Sequence, residues 1–166
     1  MSKHRSFFGM VNRGQGEAKE SSGPTVAKAD IKAKTSSGSV KKPNILLIDD
    51  DLSYCRILKR VADIGAIPLT YCTSMDEFAD LQSWNFDVVI IDYDLGAITG
   101  FELTRYLESK TQKVTPVILI SSTKRAINNL SPGTICKFIL KTTSPLSILD
   151  AATSIHGLAL LERAAG

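Results

Sequence analysis

Acidic, hydroxyl and lysine side chains stand at the ends of short apolar runs in this 166-residue chain. Asp49-Asp50-Asp51 follows NILLI, and Asp92 follows FDVVII with Asp94 two positions on. Ser121-Ser122-Thr123 follows TPVILI, and Lys141 follows TICKFIL. Three or more carboxylates brought together raise one another's pKa unless a cation neutralises them. A hard divalent ion, Mg²⁺ above all, takes oxygen ligands, commonly one or two carboxylates with waters and phosphate oxygens. A lysine and a hydroxyl beside them add a point charge and a hydrogen-bond donor. That set suits a phosphoryl group, provided the fold gathers the ends.

The gathering depends on the elements between. LSYCRILKRVADIG places Tyr54, Leu58, Val61 and Ala62 at helical spacing before Gly65 stops it. IPLTYC reads as a strand, and SMDEFADLQSW as a helix with a Ser74/Glu77 capping box. GFELTRYLESK sets Leu103 and Leu107 on one face, and TKRAINNLSPG (123–133) reads as a short, irregular fourth helix. The last helix, SPLSILDAATSIHGLALLERA, carries Leu149, Ala152, Ile155 and Ala159 on one stripe behind a Ser-Pro start. Strands thus alternate with helices, and strands that read as continuous apolar runs are covered on both faces. The expected fold class is α/β, a doubly wound five-stranded parallel sheet between two helical layers. Functional groups in such sheets collect at the carboxyl ends of the strands, where all four clusters fall.

Charge divides the chain. Residues 1–43 hold nine Lys/Arg against three Asp/Glu, net +6, whereas residues 44–166 hold eleven against fourteen, net −3. Residues 12–42 are rich in Gly, Ser, Lys and Ala, too poor in large apolar groups to offset ordering entropy. Residues 1–43 are therefore expected to be a disordered basic tail or linker, with Phe7, Phe8, Met10 and Val11 an incidental apolar cluster. Without a dense Arg cluster, nucleic-acid binding is not expected. No apolar run approaches the roughly 18 residues of a transmembrane helix, and the basic residues 1–16 lack the apolar stretch of about 7–15 residues that a secretory signal needs, so none is expected. Cys55, Cys72 and Cys136 read as reduced packing residues of a cytoplasmic protein.

Over residues 44–164 the chain resembles the receiver domain of two-component response regulators. The resemblance rests on Asp49-Asp50 after the first strand, and on Asp92 after the third with Gly100 and Glu102 eight and ten residues on. It rests also on Pro116 opening the fourth strand, Ser121 at the switch position, Phe138 at the switching aromatic, and Lys141 ending the fifth strand. It implies a flavodoxin-like strand order 2-1-3-4-5, with residues 44–166 as the receiver. It also implies a phosphoacceptor at Asp92, served by a sensor histidine kinase or a histidine phosphotransfer protein. Mg²⁺ would be held by Asp49, Asp50, Asp92 and the backbone carbonyl of Asp94. Lys141 and Ser121 would assist, and Ser121 with Phe138 would switch the surface of the fourth helix, fifth strand and fifth helix toward a protein target. Such a domain catalyses only its own phosphorylation and dephosphorylation. With Gly166 directly after the last helix, the expectation is a stand-alone receiver.

Four positions depart from the family pattern: Thr142 and Gly96 where proline is usual, Ser122 where Ala or Gly is more common, and Asp94 beside the phosphate. Other polar residues have plainer readings. Asp51 is a first-turn acid of the first helix, Glu102 is structural, and His156 has a solvated or packing role. Asp-x-Asp at 92–94 also resembles haloacid-dehalogenase-type phosphatases. That motif usually lies on a first strand with further acidic clusters downstream, and neither holds here. A phosphorylation-independent receiver-like scaffold is a further alternative, disfavoured because no central position is lost.

Overall fold

The computed structural model describes residues 41–110, 114–124 and 134–165. The expected tail up to residue 40, and the fourth helix from residue 125 on, lie outside the described residues. In chain order the elements are β1 (Ile45–Ile48), α1 (Leu52–Ile64), β2 (Leu69–Cys72), α2 (Met75–Ala79), β3 (Val88–Asp92), α3 (Gly100–Lys110), β4 (Val117–Ser121), β5 (Ile135–Leu140) and α4 (Pro145–Ala165). The strands form one parallel sheet in the order β2-β1-β3-β4-β5. This is the fold class and strand order expected from the sequence.

Side-chain alternation divides each strand between two cores. Ile45, Leu47, Val88, Ile90, Ile118 and Ile120 pack with Cys55, Leu58 and Ala62 of α1 and with Ile148, Leu149 and Ala152 of α4. Leu46, Ile48, Val89, Ile91 and Leu119 pack on the other face with Leu103 and Leu107 of α3 and with Phe86. The central strands are buried on both sides, hence their unbroken apolar runs. Among the described residues no helix is long and apolar enough to cross a membrane.

Several local features differ from expectation. Helix α2 closes at Ala79 rather than near Trp84. The following residues instead swing Trp84 into edge-on contact with Phe78 (6.1 Å) and Phe86 (5.5 Å), a cluster a continuing helix would not form. Ser74 caps α2 through the Glu77 N–H, but the Glu77 carboxylate accepts from Thr73 rather than closing a box on Ser74. At the end of α1, Gly65 is right-handed and Ala66 takes the left-handed position at φ +49°. Helix α1 stops at Gly65 as expected; the Ala66 N–H donates to Asp63 O and the Ile67 N–H to Ala62 O, a Schellman end with alanine at the left-handed position that glycine usually holds. Cys55 and Cys72 are buried, whereas Cys136 is exposed. Cys136 is the extra residue of a bulge on edge strand β5, where Val117 pairs with Ile135 and Ile118 with Lys137.

Candidate functional site

Parallel pairing in this register brings the ends of β1, β3, β4 and β5 to one rim. Asp49 follows β1 directly; its N–H donates to Cys72 O, and its carboxylate accepts from the Asp51 N–H at 3.0 Å. Asp51 is the N-cap of α1 rather than a first-turn acid, accepting from the N–H groups of Ser53 and Tyr54. Asp92 is the last residue of β3. Lys141 follows β5, tied to the end of β4 by its N–H donating to Ser121 O at 2.8 Å.

The ammonium of Lys141 lies between two carboxylates. Its Nζ is 2.8 Å from Asp92 Oδ2 and 2.9 and 2.8 Å from the two oxygens of Asp49. Asp49 is fully buried and Asp92 nearly so. Burial pushes both carboxyls above their usual range, opposed mainly by the Lys141 hydrogen bonds, and for Asp92 also by the Asp94 N–H. Burial alone would lower Lys141, but its bonds to Asp49 and Asp92 outweigh that and raise it, so the amine stays charged. Below the ammonium lies the ring of Tyr54, its centroid 5.0 Å from Nζ.

Above this cluster opens a basin of about 680 Å³. Of the expected site residues, Asp50, Asp92, Asp94, Ser121 and Lys141 line it, while Asp49 is buried beneath. Carboxylate oxygens of Asp49, Asp50 and Asp92 lie within 4.8 Å of one another. Asp49 Oδ2 touches the ammonium but has no directed hydrogen bond. A buried oxygen held only by the neighbouring ammonium charge, in an all-oxygen set with one exposed member, fits a hard divalent cation such as Mg²⁺. Asp94 turns its own carboxylate to the Gly96 N–H at 3.4 Å. Gly96 stands at φ +75°, which proline cannot adopt, so its departure from the family pattern has a backbone cause. Ser121 Oγ accepts from the Thr123 N–H at 3.2 Å, and among the described residues its own hydrogen has no acceptor. Phe138 is not at the basin: it lies opposite Leu119, half-buried against the α3-side core.

Glu102 proves structural. It accepts from the Thr99 N–H (2.8 Å) and hydroxyl, while Thr99 Oγ1 accepts from the Glu102 N–H, a reciprocal box starting α3. His156 is buried in α4, away from the rim, which leaves it a packing role. Tyr54 is the residue that sequence reasoning placed only in the core. Nothing in its helical spacing marks proximity to Lys141, 87 positions away.

The family model for the response regulator receiver domain matches residues 45–153. The regulatory protein VirG of Agrobacterium tumefaciens (strain 15955) is 33% identical over 79 residues, which are 47% of this chain and 29% of that protein. The chain thus spans under a third of the length of that relative. Among solved structures, the CheY-like receiver domain protein of Methanospirillum hungatei JF-1 superposes with a TM-score of 0.63 at 16% identity, over 74% of this chain and 99% of that one. The response regulator protein TrrA of Thermotoga maritima, solved in complex with Mg²⁺-BeF, gives a TM-score of 0.53 at 23% identity, over 60% and 87% of the two chains. With the family model covering well over half of its length, the chain belongs to the response regulator receiver domain family of two-component signalling.

Proposed function

We propose that Asp92 accepts a phosphoryl group from a phosphohistidine on a sensor histidine kinase or a histidine phosphotransfer protein. The observation that carries this is the buried Asp92 carboxylate facing the basin, with Lys141 Nζ at 2.8 Å and oxygens of Asp49 and Asp50 beside it. In the reaction an Asp92 oxygen attacks phosphorus, and the P–N bond breaks with its electron pair returning to the imidazole. Lys141 remains protonated and moves from carboxylate to phosphoryl oxygen, balancing charge on the transferred group. Asp49, Asp50, Asp92 and the Asp94 carbonyl would hold Mg²⁺, which supplies charge neutralisation on phosphoryl oxygens when bound; the Mg²⁺-BeF complex of TrrA is a precedent in this fold.

The Ser121 hydroxyl hydrogen would bond a phosphoryl oxygen and draw the end of β4 inward. Phe138 would then turn into the space behind it, shifting the population of the surface that β5 and α4 offer. That surface would contact a downstream protein, or Asp92 would pass its phosphoryl group on in a relay. The test is incubation with Mg²⁺ and acetyl phosphate followed by intact-mass measurement. Wild type should gain one base-labile phosphoryl group and Asp92→Asn none. A gain that survives Asp92→Asn would overturn the assignment.

A further inference from the structure

We propose that Tyr54 is a positioning residue for phosphoryl transfer, its ring face bracing the Lys141 ammonium against Asp49 and Asp92. The proposal rests on the reading of Asp92 and Lys141 above.

Lys141 reaches the rim on a flexible four-carbon stem, yet its head meets Asp49 and Asp92 at 2.8–2.9 Å. The ring of Tyr54 meets the same ammonium, with its centroid 5.0 Å from Nζ, inside the range in which an aromatic face attracts a cation. Tyr54 is itself fixed: its N–H donates to the Asp51 cap at 3.1 Å, and its side chain packs on the core between α1 and the sheet. The brace thus follows closely on the acidic pair, and the segment running from β1 into α1 sets two of the three groups around Lys141, Asp49 and Tyr54.

The phenol oxygen takes no part in this contact. Among the described residues it is buried without a hydrogen-bond partner, and it does not line the basin. A buried hydroxyl with no partner contributes nothing favourable to folding. The ring is therefore the functional part, and phenylalanine should replace it. An aliphatic side chain would fill the volume and lose the attraction, letting Lys141 leave its place between the acids. Proximity and orientation of a charged group at the reacting centre translate directly into rate.

The test combines a structural signature with kinetics. In the NMR spectrum of the full chain, the Lys141 ε-methylene protons should be displaced upfield by the Tyr54 ring current in wild type and in Tyr54→Phe. They should return to the ordinary lysine position in Tyr54→Leu. With saturating Mg²⁺ and acetyl phosphate, Tyr54→Phe should be phosphorylated at the wild-type rate and Tyr54→Leu about threefold to tenfold more slowly. Tyr54→Met serves as the second aliphatic variant should Tyr54→Leu fail to fold. An undisplaced Lys141 signal in wild type would overturn the proposal, as would an aliphatic variant at full rate or Tyr54→Phe as slow as Tyr54→Leu. A wild-type protein that takes no phosphoryl group would instead sink the Asp92 reading, with the ring-current measurement still deciding the Tyr54–Lys141 contact.

Discussion

Gly100 is pressed onto the backbone of Asp92 so closely that a Cβ there would stand 2.2 Å from the Asp92 carbonyl oxygen. Its own N–H donates to Tyr93 O at 2.8 Å. Helix α3 therefore starts directly on the end of β3. The loop between them, closed by the Leu95 N–H to Ile98 O bond and an Asp94–Thr99 bridge, is held at both ends. This contact sets how far Asp92 stands out of the sheet.

Gly100→Ala should consequently be costly. The obstructing atom is backbone and cannot rotate away, so β3 and α3 must separate. We expect a loss of about 3 kcal/mol in unfolding free energy, at the upper end for overpacking. Chemical denaturation checks this, and a loss within 0.5 kcal/mol, the usual range of a surface substitution, would contradict the contact.

Asp50 separates metal binding from stability. It is exposed, whereas Asp49 and Asp92 are buried. Asp50→Asn should leave metal-free stability within about 0.5 kcal/mol of wild type. The same substitution should abolish the rise in melting temperature that Mg²⁺ produces in wild type by binding the native state. Equal Mg²⁺ stabilisation of both proteins would exclude Asp50 as a ligand.

The end of α1 offers a reversed glycine prediction. Ala66 is left-handed at φ +49°, while Gly65 is right-handed and an added Cβ there meets nothing nearer than 3.5 Å. Ala66→Gly should stabilise the fold by up to about 1 kcal/mol, and Gly65→Ala should be tolerated. Thermal unfolding of the two single variants checks the order.

Acid sensitivity should come in part from threonine–glutamate pairs. Glu102 is held below its ordinary value of 4.5 by the Thr99 N–H first and the Thr99 hydroxyl second. Glu77 and Glu108 are lowered in the same way by Thr73 and Thr134. A carboxyl with a lowered native pKa binds its proton less readily folded than unfolded. Its stabilisation is complete above the unfolded value and fades as pH falls through the native one. Glu102→Gln should thus be less stable than wild type at pH 7, and the gap should close once pH drops well below 4.5. Urea titrations across that range measure it; a gap unchanged by pH would rule out the charged cap.

Strand ends were legible in the sequence because both covers of a parallel sheet are apolar, so ILLI, VVII and VILI announce themselves and their polar termini stand out. Asp49, Asp50, Asp92, Ser121 and Lys141 could be grouped on that basis alone. What stayed hidden depends on long-range or backbone geometry. The Tyr54–Lys141 contact joins residues whose meeting only the tertiary fold determines. The early close of α2 follows from Trp84 packing between Phe78 and Phe86, a tertiary gain that overrides helical spacing. Helix α1 stops at Gly65 as its spacing implies, but the left-handed residue that follows, Ala66, was not legible because glycine is the usual occupant.

The central claim is that Asp92 carries the phosphoryl group, and reductive trapping tests it at residue resolution. Protein treated with Mg²⁺ and acetyl phosphate is reduced with borohydride, which converts an aspartyl phosphate to homoserine, and the peptides are sequenced by mass spectrometry. The account predicts homoserine at position 92 and nowhere else. Homoserine at position 49, 50 or 94, or none at 92 in protein shown to be phosphorylated, would contradict it.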